Sequence, residues 1–150
     1  GVVAERFAQV GEKLPVDGRI LLSYTVPGAY FTVNPMAVRH GTIDVFGENK
    51  RTVVLIEAPA FGPRAKVAYV AVGAMMVGSV VITADADGAP VSRLDEIGYF
   101  AFGGSTIVVL FPPPPPGMRL VFDQDLVANS LMQLETLVQV GNSIARLVPV

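Results

Sequence analysis

Cysteine and tryptophan are absent from the 150-residue chain, and histidine occurs once, as His40. Without thiols there is neither a disulfide framework nor a thiolate metal site, and thiol usage says nothing of the redox compartment. One imidazole is too few for a zinc centre, so no metal is expected. Charge is also scarce, with 16% charged against 51% hydrophobic residues and a formal net charge of -2. Nothing here resembles the clustered basic footprint that neutralises phosphates, which argues against nucleic-acid binding. The first residues, Glu5 and Arg6 among them, lack the basic-then-apolar order of a secretion signal, and a soluble cytoplasmic product is expected.

The chain has the length of one domain, and residues 1–150 are read as a single unit. The mean hydropathy of +0.52 is high for such a domain and points to apolar surface in excess of one core, as a homo-oligomer interface would need. An uncharged run, Val67 to Ala84, is long enough for a membrane helix. Gly73, Gly78 and its β-branched content favour two buried strands joined near Gly73 to Gly78.

Val3, Phe7 and Val10 share one helical face before Gly11, which predicts a short N-terminal helix over Val2 to Val10. From Pro15 onward, β-branched runs alternate with Gly, Pro, Asn and Asp. They predict strands at Arg19 to Val26, Ile43 to Phe46, Arg51 to Ala58, Lys66 to Val72, Val77 to Ala84 and Thr106 to Phe111. Asp85 to Pro90 is a turn signal at the tip of a hairpin-like connection. The five prolines Pro112 to Pro116 stop the strand before them and read as a stiff surface connector rather than a ligand for an SH3 or WW domain. Asp125 to Met132 reads as a short helix and Thr136 to Val140 as a returning strand. The fold class is mostly β (α+β), a compact β-sandwich or barrel-like core.

The segment with most chemical content is Gly103-Gly104-Ser105-Thr106, set before the apolar run Ile107 to Phe111. A hydroxyl directly after two glycines can attack the carbonyl that precedes it, because glycine permits strained backbone and close approach. Most such strings are only turns entering a strand, so the neighbours decide. Tyr30-Phe31-Thr32-Val33-Asn34-Pro35, Glu48-Asn49, Val70 to Ser79, Asp123 to Ser130 and Glu135 to Gly141 follow in order. Together these segments resemble the phosphatidylserine decarboxylase family, whose proenzymes cleave themselves before a serine.

The resemblance implies cleavage between Gly104, which supplies the carbonyl, and Ser105, the precursor of a pyruvoyl cofactor. It further implies a lyase in which that group forms a Schiff base with a primary amine bearing a carboxylate and carbon dioxide leaves. The substrate would be a phospholipid headgroup or a free amino acid such as tryptophan, with contact to a membrane left open.

Family members carry two histidines just before the Pro-Val-Asp-Gly element, whereas Gly11-Glu12-Lys13-Leu14 precedes Pro15-Val16-Asp17-Gly18 here. Self-cleavage needs a base to activate a hydroxyl of very high pKa. His40, the one histidine that could supply such a base, matches no catalytic position of the family and otherwise reads as a surface loop histidine. Asp17, Glu48 and Glu57 serve as bases only if burial raises their pKa values. Thr106 either orients the Ser105 hydroxyl or simply opens a strand, and Asn34-Pro35 is either a pocket wall or a turn. Met75 and Met76 read as core filler, and Glu48 to Arg51 as a solvated turn. The chain is accordingly expected to be an unprocessed precursor; the alternative is a non-catalytic or engineered scaffold that keeps the fold.

Overall fold

Runs of valine and isoleucine cannot leave their backbone groups unpaired once buried, so they assemble into ladders. The computed structural model describes residues 12–13, 17–84, 88 and 90–150, and the predicted N-terminal helix over Val2 to Val10 lies outside them. In chain order the elements are β1 (Glu12–Lys13), β2 (Gly18–Val26), α1 (Pro35–His40), α2 (Val45–Glu48), β3 (Arg51–Glu57) and β4 (Lys66–Val72). They continue with β5 (Ser79–Ile82), β6 (Pro90–Val91), β7 (Glu96–Ala101), β8 (Thr106–Leu110), β9 (Met118–Phe122), α3 (Gln124–Leu131) and β10 (Ala145–Pro149).

Three antiparallel sheets result: a five-stranded one in the order β6-β2-β3-β4-β8, a three-stranded one, β1-β7-β5, and the pair β10-β9. The core lies between them. Ile20, Val54, Ile56, Val67, Tyr69 and Ala71 of the large sheet meet the fully buried Ile97 of β7, with Val80, Ile82 and Phe100 packed around it. Leu120 and Leu147 bring the β9–β10 pair onto the same core, and Phe111 bridges Phe61 and Phe122 with ring centroids 5.8 and 6.3 Å away. Among the described residues the chain is thus mostly β, as its β-branched runs indicate.

The strands β2, β3, β4 and β8 fall where the pattern puts them, and α3 lies within one residue of its expected start and end. Other expectations need correction. Ile43 to Phe46 is not a strand. Asp44 caps α2 instead, its carboxylate accepting from the Gly47 N–H at 3.1 Å, so the local side-chain bond wins over β propensity. Thr136 to Val140 is irregular and Leu137 almost fully exposed; the returning strand is β10, which among the described residues pairs only with β9 and tolerates Pro149 because it is an edge. Of the hairpin-like turn expected at Asp85 to Pro90, residues 85–87 and 89 lie outside the described residues; on either side β5 pairs with β7 and β6 with β2, and Gly88 has the left-handed φ of a turn (+83°). Within the run 77–84 the ladder covers only Ser79–Ile82.

Two crossovers between the large and the three-stranded sheet position the site. The chain leaves β4 through residues 73–78 to enter β5, and later leaves β7 through residues 102–105 to enter β8. The registers Val72↔Thr106 and Ser79↔Ala101 bring both crossovers to the same end of the molecule.

Because Ile97 is the point at which the three-stranded sheet enters the core, Ile97→Ala should lower stability by roughly 2–5 kcal/mol. Urea unfolding monitored by tyrosine fluorescence would measure it.

Candidate functional site

Ser105 sits at the second crossover and is only 3% exposed. Its Oγ donates to the backbone carbonyl of Val72, at the end of β4, at 2.5 Å. The turn leading to it is left-handed at Phe102 (φ +69°) and Gly103 (φ +139°). For Phe102 such a conformation costs roughly 1–2 kcal/mol, yet its ring is 90% exposed and no burial offsets the cost. Gly103 lies against the first crossover: a Cβ there would stand 3.2 Å from Cγ2 of Val77. Thr106 is buried at the start of β8, opposite Val72.

The residue after Val72 is gripped as well. Asn49, fully buried, donates from Nδ2 to the carbonyls of Gly73 and Phe31 and accepts the Phe31 N–H at Oδ1, each at 2.8 Å. Its neighbours complete a backbone lattice, with Ala29 N–H donating to Glu48 O, Lys50 N–H to Ala29 O and Gly73 N–H to Lys50 O, all at 2.8–2.9 Å. The expectation that Glu48 to Arg51 forms a solvated turn is therefore overturned at Asn49, which is buried because it satisfies three backbone groups at once.

That lattice lays Tyr30 and Phe31 beside the first crossover. The Tyr30 ring crosses two glycines: a Cβ on Gly78 would fall 2.8 Å from its Cε1, and one on Gly73 3.5 Å from the same atom. The Lys50 ammonium stands 5.9 Å from the ring centroid. Asn34 caps α1, with Oδ1 accepting from the Met36 N–H at 3.0 Å and Pro35 at the first helical position, so Asn34-Pro35 is a helix start. Met75 and Met76 are not core filler. They form the tip of a turn closed by reciprocal Ala74–Val77 hydrogen bonds, and Met76 is 87% exposed.

None of the carboxylates considered as bases touches Ser105. Glu57 pairs with Arg19 at 2.7 Å, and Glu48 is exposed on α2. Asp17, far from being buried and raised, is exposed; the Arg93 backbone N–H at 2.7 Å, helped by the Arg93 guanidinium, holds its carboxyl below the usual range. His40 ends α1, a helix rather than a loop, which is tied down where Arg39 donates to the Gln133 carbonyl at 2.6 Å.

Asn49 is the residue that sequence reasoning passed over. A usable signal existed in the glycines around it, since a Cβ on Gly28 would meet Glu48 O at 2.3 Å and one on Gly73 would meet Lys50 O at 3.0 Å. Gly28 and Gly73 are its neighbours in space rather than in sequence, and each marks backbone in close approach.

Two outcomes follow from this geometry. Gly78→Ala should cost roughly 1–3 kcal/mol, and less in a Tyr30→Ala background, as a double-mutant cycle of urea unfolding would show. Asp17, having a lowered folded pKa, stabilises the protein at neutral pH and loses that contribution as pH falls through its folded value. Its carboxyl carbon should titrate by NMR below an ordinary aspartate, and Arg93→Ala should move the midpoint up.

The sequence model of the phosphatidylserine decarboxylase family matches residues 13–146. Phosphatidylserine decarboxylase proenzyme 3 of Schizosaccharomyces pombe is 49% identical over 132 residues, covering 88% of this chain and 13% of that protein. Proenzyme 2 of Saccharomyces cerevisiae is 48% identical over 130 residues, 87% of this chain and 11% of its own length. The proenzyme of Chlamydia muridarum is 41% identical over 132 residues, 88% of this chain and 41% of its own. The chain thus spans about a tenth to two fifths of the length of these relatives. With the Gly-Gly-Ser-Thr crossover, the Tyr30–Pro35 segment and the Asn49 lattice all within the matched region, the chain belongs to the phosphatidylserine decarboxylase family.

Proposed function

We propose that this chain is the self-cleaving core of a pyruvoyl-dependent decarboxylase, acting as one unit over residues 1–150 and uncleaved in the form described. The observation that carries this reading is the placement of Ser105: buried, at a left-handed glycine turn, with its hydroxyl held by the Val72 carbonyl. Oγ would attack the Gly104 carbonyl carbon, the Gly104–Ser105 C–N bond would break, and the hydroxyl proton would pass to the new amine of Ser105, leaving an ester. Loss of the Ser105 Cα proton and cleavage of the Cβ–Oγ bond would then release the Gly104 carboxylate. Hydrolysis of the resulting enamine, as its imine tautomer, liberates ammonia and leaves a pyruvoyl end without any outside oxidant.

The residues present suit that group. Ser105 opens the small fragment one residue before β8, so the new end would stay anchored by the β8–β4 ladder. When formed, the pyruvoyl carbonyl supplies an electron sink for loss of carbon dioxide from a bound amine. This chain's own contributions are to hold that end beside Val72 and to wall it with the Tyr30–Asn34 segment. Thr106, buried next to Ser105, fixes where β8 begins. The relatives are named for phosphatidylserine, and a phospholipid headgroup is the substrate favoured here. The exposed Met75, Met76 and Phe102 at the same end give apolar surface for peripheral contact with a lipid layer or a second copy. Among the described residues no helix is long and apolar enough to cross a membrane. A cytoplasmic location with such peripheral contact fits this reading.

The hydroxyl's environment supports reading the chain as uncleaved. Its hydrogen-bond partner is a backbone carbonyl, which orients Oγ for attack but is no base for the Ser105 Cα proton, so elimination from the ester is the step that stalls. Intact mass under denaturing conditions should therefore show one species near 15.8 kDa after long incubation near pH 7. Hydroxylamine, which captures an ester in equilibrium with the amide, should then split the chain between Gly104 and Ser105, and Ser105→Ala should abolish the split. The chain contains no Asn-Gly bond that hydroxylamine would cut instead. A chain that hydroxylamine leaves whole would refute the self-cleavage reading, and spontaneous division at that bond would refute the uncleaved state.

A further inference from the structure

Asn49 is hydrogen-bonded both to Phe31, in the Tyr30–Pro35 segment, and to Gly73, the residue after the Ser105 acceptor. Its Nδ2 holds the Gly73 carbonyl, and the peptide before Gly73 carries the Val72 carbonyl that receives Ser105 Oγ. The other contacts of the same amide take both the N–H and the carbonyl of Phe31, which pairs that residue as a strand neighbour would. We propose that Asn49 is a positioning residue, setting the Ser105 hydroxyl and the Tyr30–Asn34 wall in one register so that nucleophile and substrate face are placed by a single buried amide. This rests on the reading of Ser105 as the self-cleaving nucleophile.

The chemistry of the clasp admits few substitutes. It requires one acceptor and two donors within a short planar group, which asparagine has and aspartate, serine or leucine lacks. The frame around it is rigid: Asn49 N–H donates to Val45 O at 3.0 Å, and its own carbonyl accepts from Arg51 Nη1 at 3.1 Å. A glycine at 73 allows the approach, since a Cβ there would stand only 3.0 Å from Lys50 O. Small displacements of a reacting atom are costly in rate, so loss of the clasp should appear in the chemistry beyond its effect on folding.

The test compares Asn49→Ala and Asn49→Asp with a core truncation chosen for equal loss of stability, Ile56→Val or Ile56→Ala, all in the full chain. Asn49→Asp keeps the acceptor for the Phe31 N–H and loses both donors, and it serves where Asn49→Ala does not fold. Hydroxylamine-dependent cleavage at Gly104–Ser105 should slow by roughly 10- to 100-fold in the Asn49 variants relative to the Ile56 control. Equal rates in the two sets would reduce Asn49 to a stability residue and overturn the proposal. If the parent chain itself resists hydroxylamine, it is the reading of Ser105 that fails, and amide hydrogen exchange then decides the clasp. Protection at Phe31, Ser105 and Thr106 should fall together in the Asn49 variants and persist in the control; a loss confined to Phe31 would sink the coupling.

Discussion

Two successive carbonyls at the end of β4, those of Val72 and Gly73, are each taken by a buried side chain from elsewhere in the chain, Ser105 and Asn49. A buried carbonyl left without a donor costs about 1–3 kcal/mol, so the two hydroxyl and amide donors are not decoration on a finished fold. They determine how the strand may leave its sheet. Because β4 must leave the large sheet here to reach β5, the crossover at 73–78 is fixed by these bonds together with the Gly73 N–H to Lys50 O bond.

The second crossover depends on the first. Residues 102–105 descend from β7 against Val77, and the left-handed Phe102 and Gly103 bring Ser105 back to the β4 carbonyl from which the earlier crossover began. The strain at Phe102 is offset by no burial of its own ring, so it must be borne by the ladders on either side, β7 with β5 and β8 with β4. The link between β7 and β8 joins two different sheets, so a cut between Gly104 and Ser105 would remove no ladder. The fold tolerates a cut there as it would not inside a strand.

How much of this was legible in the sequence depended on whether the relevant force was local. Strands β2, β3, β4 and β8 announce themselves because valine and isoleucine runs have no other stable use for their backbone and side chains. Strand β7 is masked by Gly98, whose missing side chain lets Val81 O approach, since a Cβ would stand 2.2 Å from it. A glycine that breaks a hydrophobic pattern is here required by the pairing itself. Ile43 to Phe46 misled for the opposite reason, a β-like composition overridden by one Asp44 cap. That Ser105 lies in a turn entering a strand was legible from Gly-Gly-Ser-Thr, since glycines before a β-branched run are a local signal. Its acceptor on Val72, 33 residues earlier in the chain, was not, because nothing in a sequence states which carbonyl a hydroxyl will meet.

Asn49 shows the limit most clearly. Read along the chain, Glu48-Asn49-Lys50-Arg51 is a polar stretch between two apolar ones, and water is its natural environment. Three of its four residues do remain at least partly exposed. Asparagine differs from its neighbours in carrying a neutral amide, which can be buried without the cost of desolvating a charge provided its donors and acceptor are met. The backbone groups that meet them come from Phe31 and Gly73, 18 and 24 residues distant in sequence. Burial of a polar group is thus a property of the assembled backbone rather than of the residue. A polar side chain becomes the centre of a site when several strand ends converge with unmet hydrogen bonds, and the chain shows this convergence in advance only through the glycines that let the strands come close.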